Sequence, residues 1–525
     1  MKRRKFFRNS LALLAPTIIQ GNPIYLLNDN HPLFNTNLLA NVTNDNVLVI
    51  VQLSGGNDGL NTVIPISEYS NYYNARKNIA VPENAILKLN GYEGTGLNPA
   101  MSSLQSLFND GKINVVQSVG YAKTNFSHFR ATDIWMSGSD SDQYLNTGWA
   151  GRFLDQKYPN YPDQYPSDAN PDPLAIQIGS ISTLTCQGPV VNMGLSISDP
   201  SSFYNLLDGS ADPLPNTNAG YELSFIRTIA KQTNKYAARI KTASDSVTQQ
   251  ATYPTGNSLA NQLKIVARLI KGGLQTKIYL VSYGGFDTHA NQVTSTDTTK
   301  GTHANLLGNV SNAIKAFQDD LAGLGVEDRV LGMTFSEFGR RIKSNASGGT
   351  DHGAAAPLFL FGKKVNGGVT GINPLIPSSV TSSDNINYQY DFRSVYNSIL
   401  QNWFCVSESN QFEILLKKYP IIPVINSSVC GVANTTDELD KNTHIKNYPN
   451  PFSGITHIEY KTNGGHTRLE LLNMVGNPIQ VLLDFTPYTA GIFSINFNGS
   501  ALMPGIYYLS LQNEADRHVI SIVKI

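Results

Sequence analysis

Charge is scarce in this sequence. Charged residues make up 15% of the 525, against about 25% in an average soluble domain. Lys+Arg and Asp+Glu number 39 each, so the net charge is zero. That removes any overall basic character for gripping a nucleic-acid backbone. Cysteine is scarcer still: three residues are too few for a disulfide scaffold. No apolar run reaches the ~20 residues that a membrane-spanning helix needs. What is abundant is hydrophobic mass. Hydrophobic residues make up 41%, including 25 Tyr and 22 Phe, enough for a large core and against global disorder. The 43 Gly and 26 Pro promise many turns. At ~150 residues per domain, the length fits three or four units, or one large domain with attachments.

Both ends differ from the middle. Lys2, Arg3, Arg4, Lys5 and Arg8 form a basic block, and Ser10 to Ile19 a short apolar run. This is the order of an export signal, so residues 1–28 are expected to be a signal and leader. Arg3-Arg4-Lys5-Phe6-Phe7-Arg8 resembles a twin-arginine signal, although Lys2 stands where Ser or Thr is usual. An ordinary secretory signal with a basic start is the alternative. At the other end, residues 447–525 hold short alternating runs (ITHIEYK, TRLELLN, PIQVLL, FSINFN, GIYYLSLQ, HVISIVKI) separated by turn residues. They predict a small β-sandwich. YPNPF at its start, LLNMVGNPI in its centre and MPGIYYLSL near its end closely resemble the C-terminal sorting domain of type IX secretion substrates. The resemblance implies passage across an outer membrane by the type IX machinery. The product would be extracellular or on the outer cell surface, with no transmembrane helix in the mature chain. Residues 426–446 read as a linker. Cys405 and Cys430 near this junction can pair in an oxidising compartment, leaving Cys186 over; three free thiols are the alternative.

Residues 45–425 carry the chemistry. Val47 to Leu53 is an almost unbroken apolar run, the mark of a strand buried on both faces of a parallel sheet. It stops at Ser54-Gly55-Gly56-Asn57-Asp58-Gly59. Ile113 to Val119 leads into Asn125-Phe126-Ser127-His128-Phe129-Arg130. Lys277 to Ser282 ends at Gly284-Gly285-Phe286-Asp287-Thr288-His289, and Arg329 to Phe335 at Ser336-Glu337-Phe338-Gly339-Arg340-Arg341. A fifth cluster, Gly349-Thr350-Asp351-His352-Gly353, precedes the run PLFLFG. Helical periodicity lies between: from Ser258, read as a cap, to Gly273; from His303 to Leu324; and from Asp391 to Phe404. Alternating strands and helices predict an α/β fold, a mostly parallel central sheet flanked by helices.

In such sheets, ligands sit beyond the carboxyl ends of the strands. Asp58, Asp287, His289, Glu337, Asp351 and His352 are therefore expected to converge, and carboxylates with imidazoles suit Zn²⁺, Mn²⁺ or a similar divalent ion, one or two of them. Crowded carboxylates without a cation would repel. Each residue alone also has an ordinary structural role, as turn former, cap or buried histidine.

VQLSGGNDGLNTVIP, SHFRATDIW, GGFDTHANQ, SEFGRR and GTDHGAAAPLFLFG, in this order over roughly residues 45–410, resemble the family called domain of unknown function 1501. That family is grouped with alkaline phosphatase-like proteins, sulfatases and phosphomutases. The resemblance implies an alkaline phosphatase-like α/β sandwich with a two-metal site. It casts Asp58 and the Asp351-His352 pair as ligands of one metal. Asp287 and His289 are cast for the other, with His303 as the alternative histidine. The late histidine of the phosphatases has no counterpart between His352 and His444, and His128 is the substitute. Ser127 is the nucleophile candidate, with Thr124 behind it. Neither Cys186 in TCQGP nor Ser127 fits the C/S-x-P-x-R setting of formylglycine sulfatases.

The expected function is a secreted metal-dependent hydrolase of phosphate or sulfate esters, on a small-molecule or glycan substrate. Ser127 or a water would be the nucleophile, Arg340 or Arg341 would hold the anionic oxygens, and Glu337 would ligate an ion or orient water. Two other readings stand beside it: a non-catalytic surface glycan-binding protein on an inherited hydrolase scaffold, and a metal-dependent isomerase or mutase. Charge sharpens the picture. Cleavage between Arg8 and Asp29 removes five basic residues and no acid, leaving −5, and losing residues 447–525 as well leaves −4.

Overall fold

The computed structural model describes residues 44–198 apart from 164 and 180–182, residues 235–430, and residues 445–524 apart from 449, 451, 463–464, 474–476, 489–490 and 513–516. Ahead of these it describes one two-residue pairing, Ile18–Ile19 with Asn22–Pro23. The rest of the expected leader, and most of the expected linker, lie outside the described residues. The chain divides into two compact units, 1–432 and 433–525.

The first unit is built on a nine-stranded sheet. In chain order its strands are β1 (Val47–Leu53), β2 (Ile113–Gly120), β3 (Ala175–Ile178), β4 (Gly194–Ile197), β5 (Ile278–Tyr283), β6 (Val330–Phe335), β7 (Ala356–Phe361), β8 (Gly368–Thr370) and β9 (Tyr390–Asp391). The spatial order is β8-β2-β7-β6-β1-β5-β3-β4, with β9 pairing further along β2. Every strand is parallel to its partners except β7, which runs against both β6 and β2.

β1 lies in the middle, buried on both sides. Val47, Val49, Val51 and Leu53 face one hydrophobic cluster, and Leu48 and Ile50 the other. That is why its sequence is nearly all apolar: with a period of two, each face needs its own apolar set. Helices α1 (Ser102–Asn109), α4 (Ser258–Lys271) and α5 (Thr302–Gly323) cover the first face, and α2 (His128–Ser137), α3 (Trp149–Lys157) and α6 (Phe392–Asn402) the second. The cap of α4 lies one residue earlier than expected: Asn257, not Ser258, is the N-cap, and its side chain accepts the Ala260 N–H at 3.1 Å. Asp391 caps α6, accepting the Arg393 N–H at 2.9 Å. Cys405 and Cys430 are joined in a disulfide across a sequence separation of 25, and Cys186 is free and buried. Among the described residues, no helix is long and apolar enough to cross a membrane.

The second unit is all β. β10 (Ile445–Tyr448), β11 (Ile455–Thr462) and β14 (Gly491–Asn498) form one antiparallel sheet. β12 (Gly465–Leu472), β13 (Pro478–Tyr488), β15 (Gly505–Gln512) and β16 (Arg517–Lys524) form another. Ile458, Tyr460 and Phe497 from the first sheet share one core with Leu469, Leu471, Leu509, Leu511 and Ile522 from the second. This is the sandwich that strict alternation predicts, one face of each sheet being dry.

Candidate metal centre

Parallel pairing brings the carboxyl ends of β1, β2, β5 and β6 to one edge of the sheet. The reversed direction of β7 brings its start, just after Asp351-His352-Gly353, to that same edge. The loops pack without room for side chains at certain glycines. Gly55 has φ +123°, and a Cβ there would lie 2.4 Å from the Asp287 nitrogen. A Cβ on Gly353 would lie 2.2 Å from the Arg340 carbonyl carbon. Glycine at these points is what lets the strand-end loops close on one another.

At their meeting place, His128, Asp287 and His352 each bring one ligand atom, all within 4.8 Å of one another. The His128 Nε2 is 3.5 Å from Asp287 Oδ2. The Nε2 atoms of His289 and His352 are each 3.1 Å from Asp287 Oδ1, and 2.9 Å from each other. The outward nitrogens meet oxygens. His128 Nδ1 lies 2.9 Å from a Glu337 oxygen, His289 Nδ1 3.2 Å from Asp351 Oδ1, and His352 Nδ1 2.8 Å from the Phe126 carbonyl. Each ring thus turns Nδ1 toward an outer oxygen and Nε2 toward Asp287.

Charge is arranged to suit. Burial pulls the Asp287 carboxyl up, but the Arg340 guanidinium at 2.7 Å and His352 hold it down at about 2. Burial, with help from Arg340 and His128, holds His352 below its ordinary range against the opposing pull of Asp287 and the Phe126 carbonyl. The Asn345 amide at 3.0 Å lowers the Asp351 carboxyl, against a smaller opposing effect of burial and with help from His289. An ionised carboxylate beside imidazole Nε2 atoms is a donor set that fits a divalent cation.

Other expected residues lie elsewhere. Asp58 is buried away from this group, both of its oxygens on Arg76 at 2.8 and 2.9 Å and one on Gln292 at 2.6 Å. Its carboxyl is lowered: burial pushes it up, and Arg76, His303 and Gln292 outweigh that. Asp58 thus has a buried guanidinium as its counter-ion. His303 is buried with Nε2 2.9 Å from Asn57 Oδ1, and burial pushes it down to about 4, a neutral core histidine outside the cluster. Arg340 is 2% exposed and donates to the carbonyls of Gly55, Gly56, Phe286 and Thr350 as well as to Asp287. It ties loops together through all three of its guanidinium nitrogens. Glu337 is also buried, accepting the Gly55 N–H at 2.8 Å beside His128. Asp351 touches the group only from outside, through His289. Ser127 is the exposed N-cap residue of α2, between Phe126 and His128, and its hydroxyl makes no cap bond. The Thr124 hydroxyl is bonded to the Tyr121 carbonyl at 3.1 Å. Arg341 stacks over the Phe126 ring at 4.8 Å and donates to the Ser383 carbonyl.

Comparison with known proteins agrees in part with the motifs. Residues 208–382 match the family described as "Protein of unknown function (DUF1501)". Residues 446–525 match the "Secretion system C-terminal sorting domain". No curated protein matches in sequence. Among solved structures, the lipoteichoic acid synthase LtaP of Listeria monocytogenes is 10% identical, covering 71% of this chain and 76% of that one with a TM-score of 0.30. The alkaline phosphatase of the Antarctic bacterium TAB5 is 11% identical, covering 61% and 92% with a TM-score of 0.24. The PsFucS1 sulfatase of Pseudoalteromonas sp. is 12% identical, covering 87% and 85% with a TM-score of 0.30. The central segment thus carries the DUF1501 signature, and residues 446–525 are a secretion-system sorting domain that directs the chain to the cell surface or beyond.

Proposed function

We propose that the protein is a secreted metal-dependent hydrolase of phosphate or sulfate esters. The observation that carries this reading is the meeting of His128, Asp287 and His352 at the ligand-binding edge of the sheet. A divalent cation held by these residues supplies Lewis acidity toward an ester oxygen. The chain supplies the rest. Arg341, flat against Phe126, is the cation at the rim that presents planar donors to an anionic group, in place of the buried Arg340. Ser127 directly precedes His128 and follows Phe126, whose carbonyl meets His352, and is the candidate nucleophile.

The test is elemental analysis of the purified protein, then a screen of phosphate and sulfate esters with Zn²⁺, Mn²⁺ or Ca²⁺ added. Bound metal and turnover that is lost in Asp287→Ala and His352→Ala support the hydrolase. Protein that neither carries nor takes up a divalent ion overturns it. Ser127→Ala separates the nucleophiles: a collapse of kcat assigns attack to the hydroxyl, and retained kcat assigns it to water.

A second reading rests on the aromatic rings exposed around the same loops. Phe129, next to His128, is 86% exposed, and Tyr144, stacked under Arg130, is 78% exposed. Exposed aromatic rings offer faces on which a sugar ring could stack. Glycan affinity without turnover, surviving Asp287→Ala, would favour this surface-binding role.

A further inference from the structure

We infer that His289 belongs to the same ligand set as His128, Asp287 and His352, and that Asp351 and Glu337 hold the imidazoles in place from outside without touching the ion. The inference rests on the metal reading above and specifies it: a nitrogen-rich centre of three imidazole Nε2 atoms and one carboxylate.

Three observations carry it. First, the three rings are turned alike. Each gives its Nδ1 to an outer oxygen, from Glu337, Asp351 or the Phe126 carbonyl, at 2.9, 3.2 and 2.8 Å. Metal-bound histidines almost always do this, because the outer acceptor fixes the tautomer and raises the basicity of the inward nitrogen. Second, the inward nitrogens crowd around one carboxylate oxygen. The His289 and His352 Nε2 atoms stand 2.9 Å apart, and both are 3.1 Å from the same Asp287 oxygen. Ligand atoms spaced in this way suit coordination of one shared ion. Third, Asp351 is occupied. Its Oδ1 accepts from both His289 and the Asn345 amide, and the Glu337 Oε1 accepts from both His128 and the Gly55 N–H. Each carboxylate is thereby aimed at a ring, not at the centre.

This set has a chemical consequence. Imidazole-rich sites suit Zn²⁺ and neighbouring transition ions, whereas Ca²⁺ and Mg²⁺ want all-oxygen shells. The full-length chain, stripped by chelator, is titrated with Zn²⁺ by calorimetry and with Co²⁺ by visible absorption. His289→Ala and His289→Asn are each expected to weaken Zn²⁺ at least 100-fold and to change the Co²⁺ spectrum. Asp351→Ala and Glu337→Ala are expected to weaken Zn²⁺ by about 10–100-fold while keeping stoichiometry and spectrum. Asp351→Asn, which keeps an acceptor oxygen for His289, should restore most of the affinity. Wild-type affinity and spectrum in both His289 variants would overturn the inference, with the metal reading intact. So would loss of stoichiometry in Asp351→Asn, which would make Asp351 a ligand. Failure of the wild-type chain to bind either ion would overturn the metal reading and this assignment with it.

Discussion

Asp58 and Asp287 follow neighbouring strands, yet their carboxylates meet opposite fates. Asp287 stays half exposed among imidazoles, and Asp58 is sealed against Arg76, with side chains 1% and 0% exposed. Breaking such a buried pair from one side leaves an uncompensated charge. Arg76→Ala is therefore expected to cost about 3–5 kcal/mol, read as a lower urea midpoint. Asp58→Asn should lower the midpoint but keep the metal stoichiometry. A folded Asp58→Asn that binds no metal would return Asp58 to the ligands. His303 gives the pH dependence. Its folded value, about 4, lies below the ordinary 6.5, so the unfolded chain takes up the proton first as pH falls. Stability is whole above 6.5 and declines from there to about 4, by up to about 3 kcal/mol at 1.4 kcal/mol per pKa unit. His303→Gln should flatten that stretch of an unfolding-versus-pH curve. An unchanged slope would mean that His303 is not held neutral. Asp58, lowered in the fold, adds its own loss only at still lower pH, as it too becomes protonated.

At the scale of elements, the loops that carry Asp287-Thr288-His289 and Thr350-Asp351-His352 are pinned by one buried amide. Gln292 Oε1 accepts the hydroxyls of Thr288 and Thr350 at 3.0 and 3.1 Å, while its Nε2 donates to Asp58. Gln292→Ala should leave the sheet intact but loosen both loops, weakening Zn²⁺ about tenfold by calorimetry with stoichiometry kept. Gln292→Glu, which cannot donate to Asp58, should be worse. Equal wild-type affinity in both would show that the loops are held by other means. This clasp also explains what was legible beforehand. Long apolar runs announced β1, β2, β5 and β6, because a strand buried on both faces has to be apolar throughout. β3 and β4, four residues each, offered too short a pattern to notice. Of the residues expected to converge after the strands, Asp287, His289, Glu337, Asp351 and His352 lie together with His128, and Asp58 lies apart on Arg76. Their roles were hidden. Whether a carboxylate faces the centre or backs a ring depends on groups distant in sequence, such as the Gly55 N–H on Glu337 and the Asn345 amide on Asp351. Gln292 gave no signal beyond its place in GGFDTHANQ, and Asn345, between two motifs, gave none.

At the scale of the whole molecule, an exported chain has to be stable without cellular help, and each unit carries its own means. The sandwich has its own core. The larger unit has the Cys405–Cys430 bond, closing a separation of 25 residues. Loop-closure entropy values such a link at about 3.5 kcal/mol. The double variant Cys405→Ser/Cys430→Ser should lower the urea midpoint accordingly while leaving metal affinity unchanged, since the bond joins segments remote in sequence from every proposed ligand. Removal of residues 446–525 probes the other unit. The sorting sequence is read by the export machinery, and the candidate ligands all lie between His128 and His352. The truncated chain should therefore fold, bind Zn²⁺ with wild-type affinity and stoichiometry, and fail to reach the cell surface when expressed in its host. Wild-type surface display without these residues would remove their role as an address. Loss of Zn²⁺ from a truncated chain that remains folded would mean that the tail takes part in the centre, and that sorting and chemistry are not separable in this protein.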